Sequence, residues 1–159
     1  GDRLIATETV DVLVRELFPL AQVVTPNLDE AALVLGRPIA GIDDLDAAAQ
    51  ALRALGAPAA LLKGGHLPGD EVVDVLALAD GSLAHLRSPR IATTNGHGTG
   101  CTLSSAIAAH LALGHALPSA VAQARSYILG AIQAGAAVRT GHGHGPLNHG
   151  YAPVAQVVR

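Results

Sequence analysis

Asn95-Gly-His-Gly-Thr-Gly-Cys-Thr-Leu-Ser-Ser-Ala-Ile-Ala-Ala109 changes character in its middle. Glycines at 96, 98 and 100 run straight into an apolar pattern of helical period, in which Leu103, Ile107 and Leu111 recur every four residues. The only cysteine of the chain, Cys101, stands at the join. The pattern predicts a glycine-rich loop opening an amphipathic helix over about 99–113, with one face anchored in a core. The first N–H groups of such a helix have no partner inside it and point at whatever lies before it, which makes an anion site. Glycines let the backbone approach an anion closely and take positive φ where the path requires it. A thiol in this position is stabilised as thiolate by the helix dipole and the free N–H groups, so Cys101 is a candidate base or polar contact beside a reacting hydroxyl. The bland alternative is a small buried helix residue.

Two familiar phosphate loops are excluded. A Walker loop needs Gly-Lys-Ser/Thr, and here Cys101 follows Gly100. The dinucleotide fingerprint needs Gly-x-Gly-x-x-Gly with an acidic residue ~20 positions on. The spacing here is Gly96-x-Gly98-x-Gly100, and nothing acidic follows.

Composition narrows the class. A chain of 159 residues suits one domain with a real core. Half the residues are apolar, but there are only one Phe and two Tyr, so the core consists of small aliphatic side chains. A single cysteine forms no internal disulfide, no apolar run approaches the ~18 residues of a membrane span, and Gly1-Asp-Arg-Leu-Ile5 lacks the features of a signal peptide. The expectation is a soluble, cytoplasmic chain. The net charge of −3 hides a split: all 13 carboxylates lie in residues 1–80, whereas 81–159 hold five Arg, seven of the eight His and no Asp or Glu. A cationic half favours anionic ligands. Scattered basic residues and the near absence of aromatics argue against nucleic acid.

Along the chain, local signals predict an amphipathic helix with a threonine cap over 7–17, a short strand over 21–25 and a helix from Asn27 to Leu35, closed by Gly36 and Pro38. A helix from Asp43 to Gly56, a buried strand over 59–63 and two strands over 71–79 and 82–87 joined by Asp80-Gly81 follow. Helices over 99–113 and 118–137 precede a tail, 140–150, too rich in glycine for regular structure. The order is α/β in character and no linker or repeat interrupts it, so one domain over 1–159 is expected.

The segment Asn95–Ala109 resembles the anion-hole motif of the ribokinase-like kinases. Its Gly-Thr-Gly-Cys is the form found in hydroxymethylpyrimidine/phosphomethylpyrimidine kinases of thiamine biosynthesis and in a related group of pyridoxine kinases; sugar kinases of the superfamily carry Gly-Ala-Gly-Asp. Three further segments match in order. Val24-Thr-Pro-Asn-Leu-Asp-Glu-Ala31 resembles the Asn-x-x-Glu motif associated with magnesium and phosphate. Leu61-Leu-Lys-Gly-Gly-His-Leu67 resembles the Lys-Gly-Gly-His strand end, and Gly143-His-Gly-Pro-Leu-Asn-His149 the C-terminal signature.

The resemblance implies a three-layer α/β/α fold with a mostly parallel sheet and in-line phosphoryl transfer from ATP with Mg²⁺. It implies charge stabilisation by the backbone of Gly98, Thr99, Gly100 and Cys101, with Cys101 beside the acceptor hydroxyl. Lys63, Asn27, Thr94 and Gly96 are the implied nucleotide contacts. Lys63 is the only lysine beside nine arginines and follows a strand, where a side chain enters a crevice. Asn27 and Glu30 share a face of a helix's first turn, which fits a capping box as well as water-mediated Mg²⁺ at Glu30. His142, His144 and His149 make a weak zinc candidate, since no Cys or carboxylate accompanies them and glycines intervene.

Family members carry further strands and helices before the point matching Gly1, including those that bind the pyrimidine. The expectation is therefore a C-terminal kinase portion with its N-terminal strands absent, inactive alone, and prone to form homo-oligomers through uncovered apolar surface. Pyridoxine/pyridoxal phosphorylation is the alternative within the superfamily, and a non-catalytic nucleotide-binding fragment is the alternative outside it.

Overall fold

The computed structural model describes residues 7–153. The chain divides between Arg90 and Ile91 into two compact units, a division that no linker composition announces. The stretch Gly1-Asp-Arg-Leu-Ile5, expected to be no signal peptide, lies outside the described residues.

In the first unit, helix α1 (Thr7–Val12) continues into a π-helical turn, Leu13–Leu17, and a 3-10 turn, Phe18–Leu20. Pro19 sits in that last turn, and Phe18 is buried. Helix α2 (Leu28–Leu35) starts at Asn27 and stops at Gly36, whose φ of 67° is the left-handed stop that glycine accepts without strain. Helix α3 (Leu45–Ala54) follows a 3-10 turn, Ile42–Asp44. Its buried residues, Leu45, Ala48, Ala49 and Leu52, recur at three- and four-residue spacing. That stripe packs with Leu28 and Ala31 of α2 and with Ala60, Leu62, Val73, Val75 and Ala77 of the sheet as one apolar core.

The sheet is β1 (Ala60–Leu62), β2 (Glu71–Ala77) and β3 (Leu83–Pro89), in that order. Both pairings are antiparallel, with Leu61 opposite Leu76 and Val75 opposite His85. This corrects the expectation of a mostly parallel sheet for the strands described here. The connections are too short for a crossover, which needs a dozen residues or more, so each strand folds back on its predecessor. At the Asp80-Gly81 turn, Asp80 accepts from the Ser82 hydroxyl at 2.6 Å and the Ser82 N–H at 2.9 Å. The hydroxyl bond, followed by the backbone bond, holds the Asp80 carboxyl below its ordinary range.

Parallel pairing survives on the far side of β1, as isolated bridges of Val24 with Ala60 and Asn27 with Lys63. Val24 N donates to Ala59 O at 3.1 Å, Leu61 N to Val24 O at 2.8 Å, and Lys63 N to Pro26 O at 3.0 Å. The bond that would complete the ladder, from position 26 to Leu61 O, is missing because proline has no N–H. The strand expected over 21–25 is thus reduced to bridges.

In the second unit, α4 (Thr99–Ala112) and α5 (Leu117–Gly135) form a helical hairpin. Leu103 and Ile107 of α4 are buried, as are Ala120, Val121, Ala124, Ile128 and Ala131 of α5. Small residues on α5 let the two backbones approach closely. Among the described residues, no helix is long and apolar enough to cross a membrane.

Candidate active site

In the first unit the parallel bridge sets Lys63, at the carboxyl end of β1, beside Asn27, the N-cap of α2. Asn27 Oδ1 accepts from Glu30 N–H at 2.9 Å, and Glu30 Oε2 accepts from Asn27 N–H at 2.7 Å. This is a complete capping box. It occupies one carboxylate oxygen of an exposed residue and leaves Oε1 without a partner among the described residues. Lys63 is half-buried, and its ammonium has no ion-pair partner among the described residues. The bridge therefore brings Lys63 to the Asn27–Glu30 turn, which lies far from it in sequence.

Gly64 holds the path of the chain after Lys63. A Cβ on Gly64 would stand 2.0 Å from Val73 O, and the Gly64 N–H donates to the buried Asp74 Oδ1 at 2.9 Å. Beyond it, His66 Nδ1 lies 3.3 Å from Asp29 Oδ2 on the first turn of α2. Arg90, which sequence reasoning passed over, donates from Nε to Gly69 O at 2.7 Å, from Nη1 to Gly65 O at 2.8 Å and from Nη2 to Leu67 O. One guanidinium thus ties down the loop that leads away from Lys63. All three acceptors are backbone carbonyls, which every residue carries, so nothing in the sequence marks them out for Arg90.

In the second unit Thr94, Gly96, Gly98, Thr99, Gly100 and Cys101 lie along one loop and the first turn of α4. Gly98 is the N-cap, with φ 84° and ψ 0° in the left-handed region, and no side chain caps the helix. Its carbonyl accepts from Thr102 N–H at 2.9 Å and from the Thr102 hydroxyl at 2.8 Å. Thr99 is turned inward: its N–H donates to Gly96 O at 3.3 Å and its hydroxyl to the same oxygen at 2.7 Å. The N–H groups of Gly98, Gly100 and Cys101 have no partner among the described residues. An anion at this helix start would therefore meet three free N–H groups, with Thr99 shaping the loop rather than donating. Cys101 is exposed and its thiol is free, which sets aside the buried-residue alternative. Residues 91–159 contain no Asp or Glu to compete for these donors.

The glycine-rich tail meets this loop. His97 N–H donates to Gly145 O at 3.3 Å, His97 and Pro146 form a parallel bridge, and His144 Nδ1 lies 3.2 Å from Thr94 O. Leu147 is buried, Asn148 N–H donates to Ala131 O at 3.1 Å, and the Tyr127 hydroxyl donates to His149 O at 2.9 Å. The tail histidines weighed as zinc ligands are thus spread along a segment strapped to α5 and the loop.

The phosphomethylpyrimidine kinase family matches residues 1–148. The chain belongs to this family. A hydroxymethylpyrimidine/phosphomethylpyrimidine kinase of Rhizobium meliloti is 50% identical over 151 residues, which cover 94% of this chain and 56% of the relative. One from Streptomyces coelicolor is 48% identical over 153 residues, covering 96% and 55%. Among solved structures, the pyridoxal kinase of Staphylococcus aureus in complex with AMP-PCP superimposes with a TM-score of 0.87 at 30% identity, over 95% of this chain and 55% of that one. The ribokinase-like α/β fold expected from the motifs is therefore borne out. The chain spans about half the length of the curated relatives it matches. Membership of the phosphomethylpyrimidine kinase family accounts for all four motifs together.

Proposed function

We propose that this chain carries the ATP-phosphate and anion-hole residues of a kinase that phosphorylates hydroxymethylpyrimidine and its monophosphate in thiamine biosynthesis. The observation that carries the proposal is the first turn of α4, where a left-handed Gly98 leaves three N–H groups unpaired beside an exposed thiol. Such donors stabilise charge that develops on a transferring phosphoryl group without reorganising. Cys101 acts at the acceptor hydroxyl as base or positioning group. In the first unit Lys63 holds nucleotide phosphates as a flexible point charge with Asn27 beside it, and in the second Thr94 and Gly96 are nucleotide contacts.

Mg²⁺ fits the donor set in one way. Among the described residues no group of three or more His, Cys, Asp or Glu side chains surrounds a metal position. Glu30, with one oxygen engaged in the cap, offers a single carboxylate contact, which suits an ion that keeps most of its waters. When bound, the ion neutralises phosphate charge. Glu30→Gln separates the two roles of this residue, because glutamine also completes a capping box. The thermal midpoint of the variant is expected to stay within about 2 °C of the parent, while the gain in AMP-PCP affinity on adding Mg²⁺ largely disappears. An unchanged gain would leave Glu30 as a cap alone.

The sole lysine tests the nucleotide role. Lys63→Ala is expected to weaken AMP-PCP binding about tenfold, the scale of one charge-assisted contact, with little change in stability. Lys63→Arg recovers only part of the loss, since the guanidinium differs in shape and hydration. Calorimetric titration giving parental affinity in both variants would place Lys63 on an ordinary surface.

Pyridoxal phosphorylation is the second reading, favoured by the S. aureus pyridoxal kinase at TM-score 0.87. Assays of the full-length kinase on hydroxymethylpyrimidine and on pyridoxal separate the two by which acceptor is turned over. For the chain by itself, exposed Val12, Leu17, Leu20 and Leu113 support self-association. Sedimentation should show a homo-oligomer with no pyrimidine turnover; an active monomer would refute this.

A further inference from the structure

Asn95 stands immediately before the anion loop, is only 6% exposed, and uses its side chain for something other than the loop. Its Nδ2 donates to Gly135 O at 2.7 Å and to Val138 O at 2.6 Å. Gly135 is the last residue of α5 and Val138 stands three residues beyond it, in a turn where Gly135 O also accepts the Val138 N–H at 3.0 Å. Asn95 N–H in turn donates to Thr93 Oγ1 at 3.0 Å, and the Thr93 hydroxyl donates to Ala136 O at 3.1 Å. The segment before the loop is thus tied to the end of α5 and the turn after it through three bonds, two from Asn95 and one from Thr93, and the fourth bond holds Asn95 to Thr93. The tail closes over the same side chain: a Cβ on Gly145 would lie 2.1 Å from Asn95 Oδ1, and Gly145 O accepts the His97 N–H on the loop itself.

We propose that Asn95 is the positioning residue of the anion loop and that the tail around Gly145 is the clamp that keeps it seated. The inference rests on the reading of the α4 N-terminus as an anion hole. Three unpaired N–H groups are useful only if they point at one place, and Gly96, Gly98 and Gly100 cannot hold a direction by themselves because glycine has the widest backbone freedom. The rigidity must come from outside the loop. α4 supplies it on one side. On the other, the described residues supply Asn95 and Thr93, through the carbonyls at the end of α5 and in the turn after it, and the tail, through Gly145–Pro146 at His97 and His144 at Thr94. The His-Gly-rich segment therefore has a mechanical task, and its glycine at 145 is there because Asn95 occupies the space of a side chain.

The clamp makes a coupling that a general structural role would not. Asn95→Ala should raise amide exchange at His97 and Thr99, the hydrogen-bonded amides of the loop, about tenfold and weaken AMP-PCP binding by a similar factor, the scale of one or two lost hydrogen bonds. Gly145→Ala should do the same in the parent, but change either quantity less than about twofold when Asn95 is already alanine, because the clash has gone. Thr93→Val, which leaves Asn95 in place, should give a smaller effect of the same sign. Exchange within α4 beyond Leu103 should remain at the parental rate in each variant. Equal effects of Gly145→Ala in both backgrounds, or parental exchange at His97 and Thr99 in Asn95→Ala and Thr93→Val, would overturn the inference. Loosened loop amides with AMP-PCP affinity unmoved would keep the clamp and overturn the anion-hole reading instead.

Discussion

Cys101→Ala, assayed in the full-length kinase, is expected to lower phosphoryl transfer about a hundredfold or more while AMP-PCP affinity stays within about twofold of the parent. The thiol is exposed on the first turn of α4, next to two N–H groups that nothing else uses. Alanine keeps the helix and its free N–H groups, so the charge-stabilising part of the site survives. Only the group acting at the acceptor hydroxyl is lost. Such a contact is made to the reacting atoms and not to the nucleotide, so its removal falls on kcat. Cys101→Ser should recover part of the rate if the residue mainly positions the hydroxyl, and little if it takes the proton. Turnover equal to the parent would remove the thiol from the chemistry.

The second large effect is on stability. Gly64→Ala should cost about 3 kcal/mol or more, which lowers the thermal midpoint by roughly 6–12 °C for a chain of this size. The added Cβ would meet the Val73 carbonyl at 2.0 Å, a backbone atom fixed in β2 that has no side-chain freedom with which to yield. Relief by moving Gly64 would break its bond to the buried Asp74 carboxylate and displace Lys63 one residue earlier. Gly65→Ala is the control, because a Cβ there meets nothing within 4 Å. Thermal unfolding that finds the two variants alike would show that β2 shifts more freely than its pairing indicates.

Much of this architecture was legible in advance. The helices α2, α3, α4 and α5 announced themselves through apolar spacing and through Asn27, Gly36 and Gly56, because capping and amphipathic packing depend on residues only a turn apart. The hairpin at Asp80-Gly81 was equally local. The direction of β1 against β2 was not. Outside that hairpin, a strand reads alike whether its partner runs parallel or antiparallel, and the ladder beside 21–25 breaks where Pro26 lacks an N–H. Within the candidate site, the Asn27–Glu30 pair and Lys63 could each be singled out, but the meeting of Lys63 with that pair could not.

Local chemistry by itself determined where the glycine loop becomes a helix, that Cys101 opens it, that the helix begins without a carboxylate, and that the later half of the chain is cationic. These features follow from the order of neighbouring residues, so they are written wherever that order is written. Tertiary structure alone decided that Thr99 turns inward while Gly98, Gly100 and Cys101 keep free donors. It alone set Arg90 on the loop after Lys63, and it alone brought Asn95 to the end of α5 and Gly145 onto Asn95. Each of these long-range contacts joins a side chain to a carbonyl or a vacant Cβ some 20 to 50 residues away. A backbone carbonyl is present at every residue and an absent Cβ is a mark of every glycine, so the residue types at the two ends carry no record of which one is chosen until the chain has folded.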